Sequence, residues 1–119
     1  MSTKTTGDRG EDIACRFLSA KGYGIVATKW RCRQGEIDVV ARDGATLVFV
    51  EVKTRRGLQS GEALASITPA KRRRMIAAAY AYAAQTDEPD PPWRIDALAI
   101  TISPNGTACC THVENALDW

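Results

Sequence analysis

The chain has 119 residues, 45% of them hydrophobic and 25% charged, which is the size and composition of one ordinary globular domain. No apolar run approaches the roughly 20 residues that a membrane span needs, and residues 1–17 lack the apolar segment of a secretory signal. The net charge of +2 does not by itself indicate a polyanionic partner. We therefore expect a single cytoplasmic domain over residues 1–119.

The first half of the chain predicts a helix followed by three strands. The helix is expected over residues 9–20, where one apolar stripe is formed by Ile13, Ala14, Phe17 and Leu18. A strand follows over 24–30. Two alternating, β-branched segments, 36–42 and 46–54, surround Asp43-Gly44, which is a strong hairpin signal.

The second half predicts a helix followed by two strands. After a polar loop over 56–66, Thr68 suits the helix N-cap and Pro69 the first helical position. The buried stripe of this helix is expected to comprise Met75, Ile76, Ala79, Tyr80 and Ala83. Strands are predicted over 93–102 and 107–113. The resulting order, α-β-β-β-α-β-β, favours an α/β domain with a central mixed sheet flanked by helices.

Polar residues of the hairpin fall on one face of an otherwise apolar ribbon. Alternation places Ile37, Val39 and Ala41 opposite Glu36, Asp38 and Val40 on the first strand. On the second strand, Leu47, Phe49, Glu51 and Lys53 share one face, and Val48, Val50 and Val52 the other. One face is therefore apolar near the turn and acidic at its far end.

Two registers keep these polar residues on one face. If Asp43 and Gly44 are the central turn residues, Val40 faces Leu47 and Asp38 is diagonal to Glu51. A loop over 43–46 instead places Asp38 directly opposite Glu51. A three-residue loop would pair residues of opposite faces.

Carboxylates buried together need compensation, and a divalent cation supplies it. Asp, Glu and backbone carbonyl oxygens are ligands that Mg²⁺ accepts, with water completing the shell. Lys53 lies on the same face as Glu51, where it can bind a phosphate oxygen or orient a water. This combination suits phosphodiester hydrolysis. The alternative is a solvated sheet face with scattered charges. Against it, Leu47 and Phe49 share that face, and the basic residues concentrate at positions 53–74.

The cysteines offer little for a metal site. Cys15, Cys32, Cys109 and Cys110 contain no C-x-x-C pair, and His112 is the only histidine. We expect reduced, mostly buried thiols rather than a zinc site.

The hairpin residues resemble a known nuclease motif. Asp38 followed by Glu51-Val52-Lys53 resembles the D…(D/E)-x-K core of the PD-(D/E)xK nuclease superfamily, with Ile37 in place of the motif's proline. The blocks 35–44 and 47–55 more closely resemble the YraN-like family of small bacterial proteins, which are similar to archaeal Holliday-junction resolvases. The resemblance covers nearly the whole chain, including Gly10-Glu11-x-x-Ala14, Phe17-Leu18, Gly22-Tyr23, Lys71, Arg94-Ile95-Asp96 and Val113-x-Asn115-Ala116.

This resemblance implies a restriction-endonuclease-like fold with an Mg²⁺ or Mn²⁺ site. Asp38, Glu51, the carbonyl of Val52 and Glu11 would be the metal ligands, and Lys53 would position the attacking water. Glu36 is a further candidate, with a structural role at the sheet edge as the alternative. Glu11 could instead simply favour the helix dipole.

The implied partner is DNA, including branched DNA. Residues expected to contact phosphates are Arg55, Arg56, Lys71 and Arg74, with support of the site as the alternative for Lys71. A resolvase needs two active sites, hence a homodimer, and the Leu47/Phe49 surface is one candidate interface. The function expected is a metal-dependent endonuclease. The alternative is a non-catalytic nucleic-acid- or partner-binding module that retains the fold.

Overall fold

The computed structural model describes residues 6–56 and 67–116, and the predicted polar loop lies mostly outside this range. The element order confirms the predicted α-β-β-β-α-β-β arrangement. The bounds are α1 Thr6–Ala20, β1 Gly24–Arg31, β2 Glu36–Asp43, β3 Thr46–Arg56, α2 Pro69–Gln85, β4 Trp93–Ile102 and β5 Ala108–Val113.

The five strands form one mixed sheet in the order β1-β2-β3-β4-β5. All neighbours are antiparallel except β3 and β4, which are parallel. A parallel pair needs a crossover connection, and α2 lies between these strands in the chain. Neither described helix has the length and apolar character that crossing a membrane requires.

Of the two predicted registers, the hairpin adopts the one given by a loop over 43–46. Val40 faces Phe49 rather than Leu47, and the pairing continues to Asp43 opposite Thr46. Gly44 occupies the turn with φ +60°, a left-handed conformation that glycine adopts without steric cost.

Each face of the sheet is covered by one helix. α1 contributes Ala14 and Leu18 to a core that contains Val50 and Leu98. α2 contributes its buried residues to a second core on the other face, which contains Phe49 and Ile95. Most strand residues alternate between these cores as predicted.

Ile37 departs from this alternation. It packs in the α2-side core with Val40, whereas Val39 packs in the α1-side core. The prediction that Ile37 and Val39 share a face is therefore wrong. β2 remains paired with β1 here, but Lys29, which lies between the partners of Val39 and Ile37, has φ +53°. This left-handed residue interrupts the regular pleat at that point.

α2 begins where predicted, but the residues that it buries differ from the predicted stripe. Thr68 is the N-cap, and its hydroxyl accepts a hydrogen bond from the N–H of Lys71 at 3.2 Å. Its buried residues are Met75, Ala78, Ala79 and Tyr82. Ile76 and Tyr80, predicted to be buried, are 36% and 63% exposed. The many alanines let either face of this helix pack, because a methyl group fits in both environments.

The predicted Leu47/Phe49 dimer surface does not exist as a surface. Leu47 is 1% exposed and Phe49 is 2% exposed. The Phe49 ring lies 5.5 Å from the ring of Tyr82 on α2. These residues form the core under α2, so any contact between copies of the chain must use other residues.

Candidate active site

The site lies where β2 and β3 separate. Beyond the last ladder pair, Val39 and Val50, the backbone N–H of Val52 donates to Oδ2 of Asp38 at 2.8 Å. A carboxylate thus replaces the carbonyl that a continued ladder would supply. Because the ladder ends here, the side chain of Asp38 can reach the backbone of β3 next to Glu51.

Glu51 is the buried acid at the centre of the site, with 6% of its surface exposed. Its Oε1 lies 2.7 Å from Nζ of Lys71 and 3.3 Å from Nζ of Lys53. Lys53 comes from the same strand, two residues on, and Lys71 from the first turn of α2. The buried charge of Glu51 is therefore compensated by two cations.

Asp38 has the most altered acidity in the site. Its pKa is raised to about 7, mainly because burial disfavours the charged form, and further because the carboxylates of Glu51 and Glu11 repel it. The hydrogen bond from Val52 acts in the opposite direction. Two neighbouring carboxylates, one with a raised pKa, have the electrostatics of a position that favours a cation.

The surroundings shift the pKa values of the two lysines in opposite directions. Burial lowers the pKa of Lys53, and the adjacent Lys71 lowers it further. For Lys71, burial also acts to lower the pKa, but hydrogen bonding to Glu51 outweighs it and leaves the value raised. Lys71 is thus held as the ammonium group, whereas Lys53 is the lysine that gives up its proton more readily.

Glu11 approaches the site from α1. Its helix lies close to β3, because a Cβ added at Gly10 would stand 1.9 Å from Oγ1 of Thr54. Glu11 is near enough for its charge to raise the pKa of Asp38. Its Oε1 also lies 3.8 Å from Nζ of Lys29. The metal-ligand role of Glu11 stays a prediction.

A shallow cleft opens beside the paired carboxylates. Its volume is about 150 Å³, and it is lined by Gly35, Glu36, Asp38, Glu51, Lys71, Arg74 and Met75. Glu36 is exposed at its edge, with Oε2 lying 3.6 Å from Nε of Arg31. The cleft therefore has a basic wall from α2 and an acidic wall from the hairpin.

The four predicted phosphate-contacting residues occupy two places. Lys71 and Arg74 line the cleft. Arg55 and Arg56 lie at the end of β3, where Arg55 donates to the carbonyl of Thr54 at 3.1 Å and Arg56 is exposed. The sequence predicts that Lys71 contacts phosphate or supports the site, but it does not identify Glu51 as the partner of Lys71. The predicted crossover after β3 is the feature of the sequence that points to this contact, because a crossover carries the chain back alongside the strand that it leaves.

The carboxylates that the structure describes at the site do not form a cage of three or more side-chain ligands, but they suit a metal ion that keeps most of its water ligands. In the ranges 6–56 and 67–116, no three His, Cys, Asp or Glu side chains are close enough together to hold a metal ion. Mg²⁺, however, is commonly bound through one or two carboxylates with water in its other positions. Asp38 and Glu51 supply such a pair, and the carbonyl of Val52 remains the predicted third oxygen.

A second polar cluster lies on the other face of the sheet. Asp96 is fully buried, and its carboxylate accepts hydrogen bonds from Arg94 at 3.1 Å and the N–H of Asn115 at 3.1 Å. Its other oxygen lies 2.8 Å from Nε2 of His112. Burial acts to raise the pKa of Asp96, but these partners outweigh it and hold the pKa below its usual range. Arg94 and Asp96 therefore form a buried structural ion pair on this face.

Comparisons with known proteins show the family of this chain. A family model described as "Uncharacterised protein family UPF0102" matches residues 10–100. The chain is 56% identical over 97 residues to a UPF0102 protein of Roseiflexus castenholzii, covering 81% of this chain and 78% of that protein. It is 43% identical over 114 residues to one of Symbiobacterium thermophilum, covering 96% and 97%.

A third relative extends the match over almost the whole chain. The UPF0102 protein of Geobacter sulfurreducens is 44% identical over 115 residues, covering 97% of this chain and 90% of that protein. The resemblance drawn from the hairpin motifs is thereby confirmed. The chain belongs to the UPF0102 family, the family that this resemblance designates YraN-like.

Proposed function

We propose that this protein is a metal-dependent endonuclease that hydrolyses phosphodiester bonds in DNA, with branched or otherwise structured DNA as its substrate. The observation that carries the proposal is the convergence of Asp38, Glu51, Lys53 and Lys71 beside one open cleft. Burying carboxylates and lysines together costs folding free energy. Such costly arrangements are typical of functional sites, and DNA hydrolysis would account for this one.

The metal is bound by the acidic pair. Asp38 and Glu51 provide oxygen ligands from two adjacent strands, and β3 holds the carbonyl of Val52 between Glu51 and Lys53. Mg²⁺ or Mn²⁺ bound there would lower the pKa of a coordinated water and neutralise charge on the phosphate. Glu11, on α1, would complete the acidic set.

Lys53 acts on the attacking water. Its side chain is 17% exposed, and burial lowers the pKa of its ammonium group, which makes it a better proton donor to an ordered water. Because Lys53 is fixed on the strand that carries Glu51, its position relative to the acidic pair is set by the sheet rather than by a loop.

The basic residues bind the DNA backbone. Lys71 and Arg74 line the cleft, with Arg55 and Arg56 extending the basic surface along the end of β3. Contacts of this kind are sequence-independent and weaken as salt concentration rises. They suit an enzyme that recognises the shape of DNA rather than its sequence.

A panel of labelled DNAs tests this proposal. Linear duplex, single-stranded, flapped and four-way-junction DNAs are incubated with the protein and Mg²⁺ or Mn²⁺, with EDTA as the control. Metal-dependent cleavage that leaves 5′-phosphate ends, with the junction cut fastest, is the expected result. Absence of cleavage of every member, in a preparation shown to bind the metal, would contradict the proposal.

One observation favours the alternative, a non-catalytic binding module. Lys71 is already paired with Glu51. In the described part of the chain, no third acidic side chain joins Asp38 and Glu51 to form a three-ligand metal site. In a binding module these lysines would contact DNA or a partner, and the acids would only orient them. DNA binding that is unchanged by metal and by Asp38→Asn would support this alternative.

A further inference from the structure

The outward face of α2 carries a stripe of apolar and small side chains between two opposite charges. Positions 73, 76, 77, 80 and 84 fall on the side opposite the buried residues, since a helix has about 3.6 residues per turn. Tyr80 and Ile76 are the large apolar side chains of this stripe, 63% and 36% exposed. Arg73 and Ala84 are also exposed.

A groove continues the stripe beyond the end of α2. Its volume is about 740 Å³. Its lining includes Tyr80, Ala84, Asp87, Asp90 and Trp93. The Tyr80 ring packs edge-on against Trp93 with centroids 5.1 Å apart, so this aromatic pair forms a fixed wall. The exposed carboxylates of Asp87 and Asp90 give the groove a negative charge.

The two ends of this surface are complementary in charge. Arg73 lies on α2 two turns before Tyr80, and Asp87 lies in the groove beyond the C-cap, Thr86. Two such surfaces placed antiparallel would therefore bring Arg73 of each copy to the acidic groove of the other. Tyr80 would meet its own copy on the two-fold axis, and Ile76 would meet the small Ala84.

We propose that the outward face of α2 is the self-association surface of this protein, and that its occupant is α2 of a second copy, packed antiparallel about Tyr80. Symmetric dimers use one self-complementary patch on both subunits. Exposed tyrosines are typical anchors of such patches, and complementary charges at the ends set the orientation. The alanines between them let the two helices approach closely.

This arrangement also fits the position of the candidate active site. Lys71 contacts Glu51 from the N-terminal turn of α2, on the buried side of the helix. The antiparallel pair would leave both clefts open and place them near opposite ends of the joined helices. The dimer proposal does not depend on nuclease activity, because the residues it uses are outside the cleft.

Charge reversal at the two ends tests the proposal. Sedimentation equilibrium of the full chain from about 1 µM to about 1 mM measures the dimer dissociation constant. The wild type is expected to show a monomer–dimer equilibrium. Arg73→Glu and Asp87→Arg should each weaken the dimer at least about tenfold, because each places like charges together.

The double variant Arg73→Glu/Asp87→Arg decides the geometry. In the antiparallel pair both charges are exchanged, so its dissociation constant should return to within about threefold of the wild type. Arg16→Glu, at an exposed position on α1, makes the same charge change as a control and should have no effect. A wild type that stays monomeric throughout would overturn the proposal. So would a double variant no tighter than the singles, or an equal weakening by Arg16→Glu.

Discussion

The ammonium group of Lys71 lies 2.7 Å from the carboxylate of Glu51, which joins the first turn of α2 to the centre of β3. The contact places a cation where the proposed metal would share the same oxygen. Lys71 and the metal therefore compete for Glu51 in the proposed enzyme. In that enzyme, metal binding would free Lys71 from Glu51, and Lys71 would then be available to bind a DNA phosphate in the cleft.

Removing the charge of Lys71 should separate metal binding from DNA binding. Lys71→Met is expected to strengthen Mn²⁺ binding about tenfold, because the competing ammonium is gone. It should weaken DNA binding and lower its salt dependence, because one phosphate contact is lost. Calorimetry measures the first quantity, and fluorescence anisotropy at several salt concentrations measures the second.

Lys71→Arg is the matched control, because it keeps the positive charge. Its Mn²⁺ affinity should stay close to that of the wild type. If Lys71→Met bound Mn²⁺ no more tightly than Lys71→Arg, competition for Glu51 would be disproved.

Asp38 should make the metal-free protein less stable as the pH rises. Its folded pKa is raised to about 7, above the usual value of 3.8. The folded state therefore holds this proton more tightly, and that stabilisation is lost as the pH rises from about 4 through about 7. Asp38→Asn should increase the free energy of unfolding at pH 8 by about 1 to 2 kcal/mol.

Urea unfolding in EDTA measures this effect at pH 5 and pH 8. The advantage of Asp38→Asn over the wild type should be larger at pH 8. The asparagine oxygen can still accept the hydrogen bond from Val52. An Asp38→Asn variant that is destabilised equally at both pH values would show that the charge of Asp38 is not strained in the metal-free protein.

Asp96 should have the opposite pH dependence. Its partners hold its folded pKa below the usual value of 3.8, so it stabilises the protein above about pH 4 and loses this effect as the pH falls. Asp96→Asn should cost about 3 kcal/mol at pH 7, because Arg94 is left beside a neutral group. Exposed Arg16→Gln, which also removes one charge, is the control, with little expected effect. Thermal unfolding between pH 3 and pH 7 compares them. A loss for Asp96→Asn no greater than for Arg16→Gln would contradict this account of the cluster.

Gly10 should be required for the close packing of α1 on β3. An added Cβ would lie 1.9 Å from Oγ1 and 3.1 Å from Cβ of Thr54. Gly10→Ala should therefore destabilise the protein by about 1 to 3 kcal/mol, although alanine is the better helix former. Thr54→Ala in the same chain should recover part of the loss. Urea unfolding of both variants checks this, and a Gly10→Ala variant as stable as the wild type would contradict it.

The sequence predicts elements better than it predicts which face of an element is buried. Thr68 and Pro69 identify the start of α2 by local backbone chemistry, and Asp43-Gly44 identifies the hairpin in the same way. The buried stripe of α2 was wrong because its alanines suit both faces. Ile37 lies on the other face because the pairing of β1 with β2 is irregular at Lys29, whose φ is +53°.

The candidate site was predictable only where its residues share one hairpin. Asp38, Glu51 and Lys53 are found from their spacing along two adjacent strands, although the regular alternation fails at Ile37. The contact between Lys71 and Glu51 depends instead on how the crossover packs on the sheet. That packing is a tertiary property, which no local pattern near Lys71 reveals.

The most direct test of the central claim is the single-turnover cleavage rate of four-way-junction DNA in Mg²⁺ or Mn²⁺. The wild type is compared with Lys53→Ala, Asp38→Asn and the exposed control Arg16→Ala. We predict that the wild type and Arg16→Ala cleave at similar rates. Lys53→Ala and Asp38→Asn should be slower by at least about a hundredfold while remaining folded and able to bind the junction. Cleavage that persists in both site variants, or that is absent from the metal-bound wild type, would contradict a nuclease centred on Asp38, Glu51 and Lys53.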